Sequence, residues 1–315
     1  MNKATRFFNV ARTDGFISAL EKSKNYTTQS FKDTLLLAPN RSIKIGVYNR
    51  LYRPFLERDI GAGVDIMSQD YDNLILLDAY RADTFKKHSR FEGQLSTNTS
   101  YGNWSLEFVV KNFQGREFHD TVCVTANPYY QERFNLGSST FHKLIDTGAT
   151  DPRESLEKTT TAAIRAMKNH PNKRLLIHYM QPHGPHIGER ADEIRTDHPE
   201  YRRMFSLYRD GLVSNETLWK TYIDTIEIVE SQVDDLLDEL NGKTVISSDH
   251  GENMGEIQHG IEMVEHGLET PECRLVPWLE LPYEDRREII AEPPVEVDPI
   301  DEKEIEERLS DLGYV

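Results

Sequence analysis

Four short, mainly apolar runs are spaced along the chain, and each is followed by a polar or charged residue. They are Leu74–Leu77, Thr121–Thr125, Leu175–Ile177 and Val245–Ile246. A continuous apolar run of this length, without alternating polar positions, is typical of a strand that is buried on both faces. The pattern therefore predicts four core strands of a largely parallel sheet.

Segments with helical periodicity lie between these runs. Apolar residues recur at helical spacing after Ser105, after Asp151 and through Asn215–Leu240. Asp151 is followed by a proline at the first helical position and by Glu154, which is a typical helix start, and Ser105 has the position of a capping serine. Alternating strands and helices predict an α/β fold with a doubly wound, mostly parallel sheet and helices on both faces.

The character of the sequence changes at both ends of this alternating region. Residues 1–70 show no recognisable chemistry and are interpreted as an N-terminal extension packed on the core, with a short helix expected at Ile17–Lys24. Residues 71–283 form the predicted core domain, in which the polar segment 187–213 is interpreted as an insertion or lid. Residues 284–315 are predicted to be an acidic linker followed by an amphipathic helix at Asp301–Leu312.

Composition and charge narrow the class of protein. The chain has 315 residues, of which 37% are hydrophobic and 29% charged, as is usual for a soluble globular protein. Its formal net charge of −16 argues against nucleic-acid binding. Cys123 and Cys273 lack the spacing of a disulfide or metal motif. No apolar run is long enough to cross a membrane and no signal-peptide pattern opens the sequence, so the cytoplasm is the expected compartment. The oligomeric state is not indicated.

Ligand-type side chains follow two of the predicted strands. Asp78 ends the first strand, and Asp249 and His250 follow the last one after two serines. Because open α/β sheets gather their functional groups at the carboxyl ends of the strands, we expect these residues to meet. Carboxylate and imidazole groups bind Zn²⁺ or Mn²⁺, so the three residues predict a divalent metal site. The alternatives are a salt bridge from Asp78 to Arg81 and an ordinary polar turn at Asp249.

A serine lies where a helix is predicted to begin. Ser105 directly precedes an apolar helical pattern, so its hydroxyl is expected beside the free N–H groups of a helix N-terminus, which attract phosphate or sulfate. Competing hydroxyls in the same polar stretch belong to Thr97, Thr99 and Ser100, and a simple helix cap is the alternative role for Ser105. With a metal ion nearby to lower its pKa, Ser105 is the predicted nucleophile.

Several histidines supply further functional candidates. His183, His186 and His266 are predicted to line the same cavity, where they would hold a second ion, bind substrate oxygens or protonate a leaving group. Pro182 and Pro185 stiffen the loop that carries the first two of these histidines. Three other histidines are interpreted as ordinary polar residues: His119, His178 and His259.

Several segments resemble the alkaline phosphatase superfamily, in particular the sulfatase-like proteins of archaea. They are DNLILLDAYRADTF, SYGNWSLEF, VTANPYY, IHYMQPHGPH, SSDHGENMGE and EHGLETPECRLVPWLEL. The resemblance spans residues 70–314 and implies an alkaline phosphatase-like α/β/α sandwich. It also implies Asp78 as a metal ligand, Ser105 as the nucleophile and His266 as a late active-site histidine. Arg81 and His186 are the candidates for substrate contacts.

The sequence departs from the sulfatase pattern at two positions. Sulfatases carry Pro and Arg at the second and fourth positions after the residue that is oxidised to formylglycine, whereas Ser105 is followed by Leu-Glu-Phe-Val. Formylglycine formation is therefore not expected. Asp78 is followed by Ala79 where many sulfatases carry a second Asp, which favours Zn²⁺ or Mn²⁺, with Ca²⁺ or Mg²⁺ as alternatives.

Together these features predict a metal-dependent hydrolase or transferase of phosphate esters. Ser105 would attack phosphorus in line and form a phosphoseryl intermediate, which water or an acceptor alcohol resolves. The predicted ligands of one or two ions are Asp78, Ser105, Asp249 and His250. A small molecule, a glycan or a lipid would carry the ester. The alternatives are a sulfate-ester hydrolase, a phosphomutase and a non-catalytic metal-binding protein.

Overall fold

The computed structural model describes residues 41–131, 136, 139–149, 151–258, 261–295 and 310. Three of the predictions above lie outside these residues: the helix at Ile17–Lys24, His259 and, apart from Ser310, the helix at Asp301–Leu312. The domain boundaries at residues 70 and 283 stay a prediction. Among the described residues, no helix has the length and apolar character that a membrane span requires.

Helices and strands alternate through most of the described chain. The helices are α1 (Arg41–Ile60), α2 (Ala82–His88), α3 (Ser105–Phe113), α4 (Pro152–Asn169), α5 (Glu189–Asp197), α6 (Met204–Arg209), α7 (Asn215–Leu237) and α8 (Pro271–Arg274). The strands are β1 (Asn73–Asp78), β2 (Gln94–Thr99), β3 (Phe118–Thr125), β4 (Phe141–Asp146), β5 (Arg174–Pro182), β6 (Thr244–Ser247), β7 (Met254–Gln258), β8 (Ile261–Val264) and β9 (Leu275–Glu280). The four predicted core strands correspond to β1, β3, β5 and β6.

Seven strands form the central sheet, in the order β2-β9-β6-β1-β5-β3-β4. The neighbouring strands β6, β1, β5, β3 and β4 are parallel, whereas β9 runs antiparallel to both β6 and β2. β7 and β8 form a separate antiparallel hairpin. The predicted doubly wound, mostly parallel α/β sheet is therefore confirmed.

β1 lies in the middle of this sheet and contacts hydrophobic cores on both faces. Because side chains alternate along a strand, Ile75 and Leu77 join a cluster with α4 and α7, while Leu74 and Leu76 join a second cluster with α3. All four side chains are fully buried. Burial on both faces explains why the sequence of β1 is continuously apolar instead of alternating.

The segment 187–213 contains α5 and α6 and is a packed part of the fold. Ala191, Met204, Phe205 and Leu207 from this segment are buried in the same cluster as the apolar face of α7. These contacts anchor it to the core. The interpretation of this segment as an insertion or lid stays a prediction.

α1 lies in the region that was interpreted as an N-terminal extension. Tyr48 is 1% exposed, whereas Phe55, on another side of the helix, is 61% exposed. Asn49 and Arg53 hydrogen-bond with residues 267–269, far away in the sequence. One side of α1 therefore contacts the segment that follows β8.

Candidate metal centre and nucleophile

Three neighbouring strands bring ligand-type residues together at one edge of the sheet. β1 lies between β6 and β5. Asp78 is the last residue of β1, and Asp249 and His250 follow the end of β6. His178 lies within β5, where it pairs with Leu76 of β1. The four ligand-type side chains are fully buried, so the predicted convergence of the two strand ends is present in the structure.

Backbone groups orient the carboxylate of Asp249. Its Oδ1 accepts hydrogen bonds from the N–H groups of Ala79, at 3.2 Å, and His250, at 2.8 Å. Ala79 has a φ of 62°, a left-handed conformation that is unfavourable for alanine and that occurs preferentially at functional sites. The other oxygen, Oδ2, faces two imidazoles, 3.5 Å from His178 Nε2 and 3.6 Å from His250 Nε2.

The charge of Asp249 depends on these imidazoles. Burial alone would raise the pKa of Asp249, but the adjacent His250 and His178 outweigh burial and hold the pKa below its ordinary value. Asp249 is therefore an ionised acceptor whose second oxygen is directed into the site.

A backbone carbonyl fixes the tautomer of His250. Nδ1 of this residue lies 2.7 Å from the carbonyl oxygen of Gly251. Because a carbonyl oxygen only accepts, the hydrogen-bond network assigns a proton to Nδ1. Nε2 faces Ser105 Oγ at 3.3 Å, Asp78 Oδ1 at 3.4 Å and Asp249 Oδ2 at 3.6 Å. A proton on Nε2 would form a hydrogen bond to one of these oxygens, whereas a divalent cation would contact all of them.

The surrounding atoms fit such a cation. Ligand atoms of Asp78, His178 and Asp249 all lie within 4.8 Å of one another. His178 Nε2 and Asp249 Oδ2 are buried and have no hydrogen-bond partner among the described residues. His178 Nδ1 lies 3.0 Å from the Tyr130 hydroxyl, a contact of the kind that orients a ligating histidine. Carboxylates combined with imidazoles suit Zn²⁺ or Mn²⁺. We call Asp78, His178, Asp249 and His250 the first ligand group.

Ser105 lies against this group. Its Oγ donates a hydrogen bond to Asp78 Oδ2 at 3.0 Å. Ser105 was predicted to be the N-cap residue, but it is the first residue of α3. The N-cap position is occupied by Trp104, whose side chain makes no capping hydrogen bond. The Ser105 hydroxyl therefore contacts the first ligand group.

The competing hydroxyls have other environments. Thr97 and Thr99 lie on β2, opposite Pro277 and Leu275 of β9. Ser100 donates its hydroxyl hydrogen to a backbone carbonyl oxygen, that of Asp249. Of the four hydroxyls considered, Ser105 is the one that contacts side chains of the first ligand group.

A second cluster of ligand-type residues adjoins the first. Ligand atoms of His183, Glu252 and His266 lie within 4.8 Å of one another, and the His250 and His266 rings are 4.9 Å apart. Burial, followed by the positive charges of His266 and Arg203, lowers the pKa of His183 well below its ordinary value, so its ring is neutral and able to bind a metal. We call His183, Glu252 and His266 the second ligand group.

The structure adds two residues to the predicted sites, His178 and Glu252. His178 was interpreted as an ordinary polar residue, yet it belongs to the first ligand group. Glu252 belongs to the second, and its Oε2 lies 3.2 Å from His266 Nδ1. The sequence signal for Glu252 was its position in the same DHGE motif as two predicted ligands.

Two predicted substrate contacts lie outside both ligand groups. His186 Nδ1 is 2.9 Å from Thr221 Oγ1 of α7, and burial lowers the pKa of His186 to about 3. The buried Arg81 pairs with Asp83 and Glu256, so the alternative of a salt bridge to Asp78 is not seen. Roles for His186 and Arg81 in substrate binding stay predictions.

The second ligand group predicts a second bound ion. We expect the wild-type chain to bind two Zn²⁺ ions and the His266→Ala variant to bind about one, because a single Glu and a single His remain in that group. Elemental analysis of the dialysed proteins measures the ratio. His186→Ala is the matched control and should retain both ions. A wild-type chain with only one ion would contradict this prediction and leave His266 as a candidate acid.

The fold and the site define a doubly wound α/β protein with a buried acidic and histidine ligand cluster beside a serine. No family model matches the chain, and no curated protein matches it significantly. The chain is similar in structure to phosphoethanolamine transferases, with TM-scores below 0.5.

The soluble domain of lipooligosaccharide phosphoethanolamine transferase A from Neisseria meningitidis gives a TM-score of 0.41 at 15% identity, covering 66% of this chain and 75% of that one. The integral membrane protein lipooligosaccharide phosphoethanolamine transferase A (EptA) from Neisseria meningitidis gives a TM-score of 0.46 at 16% identity, with 89% of this chain and 64% of that chain covered. The C-terminal periplasmic domain of phosphoethanolamine transferase EptC from Campylobacter jejuni gives 0.42 at 14% identity, over 66% of this chain and 77% of that chain. The similarity is therefore one of fold.

Proposed function

We propose that this protein is a metal-dependent enzyme that acts on phosphate esters through Ser105. The observation that carries the proposal is the position of the Ser105 hydroxyl, 3.0 Å from Asp78 Oδ2 and 3.3 Å from His250 Nε2. Asp78 and His250, which contact this hydroxyl, belong to the first ligand group, whose atoms fit a divalent cation. It also stands at the first residue of α3, where a phosphate would meet free N–H groups and the positive end of the helix dipole.

The residues of the first ligand group would hold the ion, and Ser105 would perform the attack. A divalent ion bound there would lower the pKa of the serine hydroxyl and screen the charge of the ester. The hydrogen bond from Ser105 already directs the hydroxyl proton to Asp78 Oδ2. As the Oγ–P bond forms, the bond from phosphorus to the leaving alcohol breaks in line, which gives a phosphoseryl chain.

The second half of the reaction repeats this displacement with a new nucleophile. Water would release inorganic phosphate and make the protein a hydrolase, whereas an acceptor alcohol would take the phosphoryl group and make it a transferase. In both cases Ser105 leaves as the alcohol and regains its proton. The second ligand group adjoins His250, with the His266 ring 4.9 Å from the His250 ring, and would supply the contacts to the departing oxygen.

Phosphate esters are favoured over sulfate esters by the residues that follow Ser105. The positions at which sulfatases carry Pro and Arg hold Glu107 and Val109. Val109 is fully buried in the apolar cluster of α3, and Glu107 forms an ion pair with Arg53 at 2.6 Å. Neither residue offers the signal for formylglycine, so Ser105 is expected to act as a serine.

Turnover of generic aryl esters tests the proposal. With Zn²⁺ or Mn²⁺ present we expect hydrolysis of an aryl phosphate and none of an aryl sulfate, because the nucleophile is an unmodified serine. A chelator should abolish the phosphatase activity, and added metal should restore it. An acceptor alcohol in the assay separates transfer from hydrolysis. A chain that binds metal but turns over none of these esters would instead support the non-catalytic alternative.

A further inference from the structure

Glu269 connects three parts of the chain around the candidate site. Its side chain is fully buried. Oε1 lies 2.5 Å from Arg53 Nη2 and 2.8 Å from Asn103 Nδ2, and Oε2 lies 2.7 Å from Arg274 Nη1. A buried carboxylate requires such partners, because burying an unpaired charge is costly. Glu269 therefore links α1, the residues before Ser105 and the end of α8.

The first consequence concerns the loop that carries His266. Asn49 of α1 brackets this loop with two hydrogen bonds: its Nδ2 donates to Gly267 O at 2.7 Å, and its Oδ1 accepts from Glu269 N–H at 2.8 Å. Gly267 N–H also donates to Asn103 O at 2.8 Å. The backbone on the C-terminal side of His266 is thus fixed from α1 and from the segment before α3.

The second consequence concerns the helix that carries Ser105. Arg53 Nη2 lies 2.6 Å from Oε1 of Glu107, a residue in the first turn of α3. Although burial favours the neutral form, hydrogen bonds and charges from Lys111 and Arg53 hold the pKa of Glu107 below its ordinary value. The other carboxylate oxygen of Glu107 accepts from Asn103 N–H at 3.2 Å. One guanidinium, that of Arg53, therefore contacts both the His266 loop and the Ser105 helix.

We infer that α1 is part of the active-site architecture and that Asn49 and Arg53 are positioning residues. They hold the start of α3 and the loop after His266 at a fixed distance, so that Ser105 and the second ligand group meet the same ester. This inference rests on the proposed function. Reaction rates depend steeply on such placement, because a shift of ~1 Å at the reacting atoms costs about 100-fold in rate.

Substitutions on one helix test the inference. Arg53→Ala should lower kcat on an aryl phosphate by about 10–100-fold, as expected for misplaced groups, with KM changed much less and metal content retained. Arg53→Lys keeps one charge contact but not both and should give an intermediate kcat. Arg58→Ala is the matched control, since Arg58 is on the same helix, is 72% exposed and pairs only with Asp59 among its described ion pairs. Equal kcat values for Arg53→Ala and wild type would overturn the inference.

A measurement without turnover separates this inference from the proposed function. In Asn49→Ala, which changes no charge, the amide of Glu269 loses its hydrogen-bond acceptor. Hydrogen exchange, followed by mass spectrometry, should therefore accelerate in peptides that cover residues 265–270 in this variant. In Arg53→Ala, exchange should accelerate both in peptides that cover residues 265–270 and in peptides that cover residues 103–107. In Arg58→Ala, exchange should be unchanged in both segments. Inactive wild type with these exchange changes would refute the proposed function alone, whereas unchanged exchange would refute the positioning role. If Arg53→Ala does not fold, Asn49→Ala decides.

Discussion

Replacing Ser105 with alanine is expected to reduce turnover of phosphate esters by several orders of magnitude, as loss of a covalent nucleophile does in other enzymes. The remaining methyl group cannot bond to phosphorus, and the ligands of the metal centre stay in place. Because Ser105 does not cap α3, the stability cost is that of its hydrogen bond to Asp78, about 1 kcal/mol. Steady-state kinetics beside thermal unfolding measures both quantities.

The control for this substitution is Thr97→Ala. Thr97 belongs to the same hydroxyl-rich stretch but is exposed on β2, so its loss should leave both turnover and stability unchanged. If Ser105→Ala kept most of the wild-type activity, the attack would have to come from a water molecule at the metal centre, and no phosphoseryl intermediate would form.

The strand ends were the part of the site that the sequence could predict. Asp78 and Asp249 each follow a continuous apolar run, and a parallel sheet brings such ends to one edge. This inference depends neither on the register of strand pairing nor on the conformation of the loops. The structure adds the reason why they meet so closely: β1 and β6 are direct neighbours, with Leu74 opposite Val245.

The residues that sequence analysis missed depend on register and loop geometry. His178 lies inside a strand, and its inclusion in the site depends on β5 pairing with β1 so that it stands opposite Leu76. Glu252 reaches His266, 14 residues later, because the β7–β8 hairpin folds back. Gly251, directly before Glu252, allows the chain to pass close to α8, since a Cβ there would lie 2.0 Å from the carbonyl oxygen of Glu272. None of these relations is encoded in a local pattern.

The contacts of α1 show the same limit over a longer distance. Arg53 and Glu269 are 216 residues apart in sequence, and in the fold Nε and Nη2 of Arg53 both donate to Oε1 of Glu269. In the sequence, no local pattern links these two charged residues. Long-range pairs of this kind follow from the packing of α1, for which periodicity offered no prediction.

The first ligand group predicts that Asp249→Asn loses its metal ion. The amide has the same shape as the carboxylate, so it can still accept the N–H bonds of Ala79 and His250 at Oδ1. Its other end loses the negative charge that faces the two imidazoles, so the affinity for a divalent cation should fall steeply. Elemental analysis should show the wild type loaded with Zn²⁺ or Mn²⁺ and the variant depleted by one ion per chain. Asp234→Asn, on an exposed surface of α7, is the control and should keep the wild-type metal content.

Thermal unfolding gives an independent measure of the same ion. A ligand bound only by the folded chain stabilises it by about 2.7 kcal/mol when present at ~100 times its Kd, so a chelator should lower the unfolding temperature of the wild type. The effect should be smaller in Asp249→Asn by the contribution of the lost ion. Without metal the variant is expected to be less stable than the wild type, because His250 and His178 hold the pKa of Asp249 below its ordinary value, so that the ionised carboxylate favours the folded chain. Unchanged metal content in the variant, together with the full wild-type response to chelator, would remove Asp249 from the ligand set.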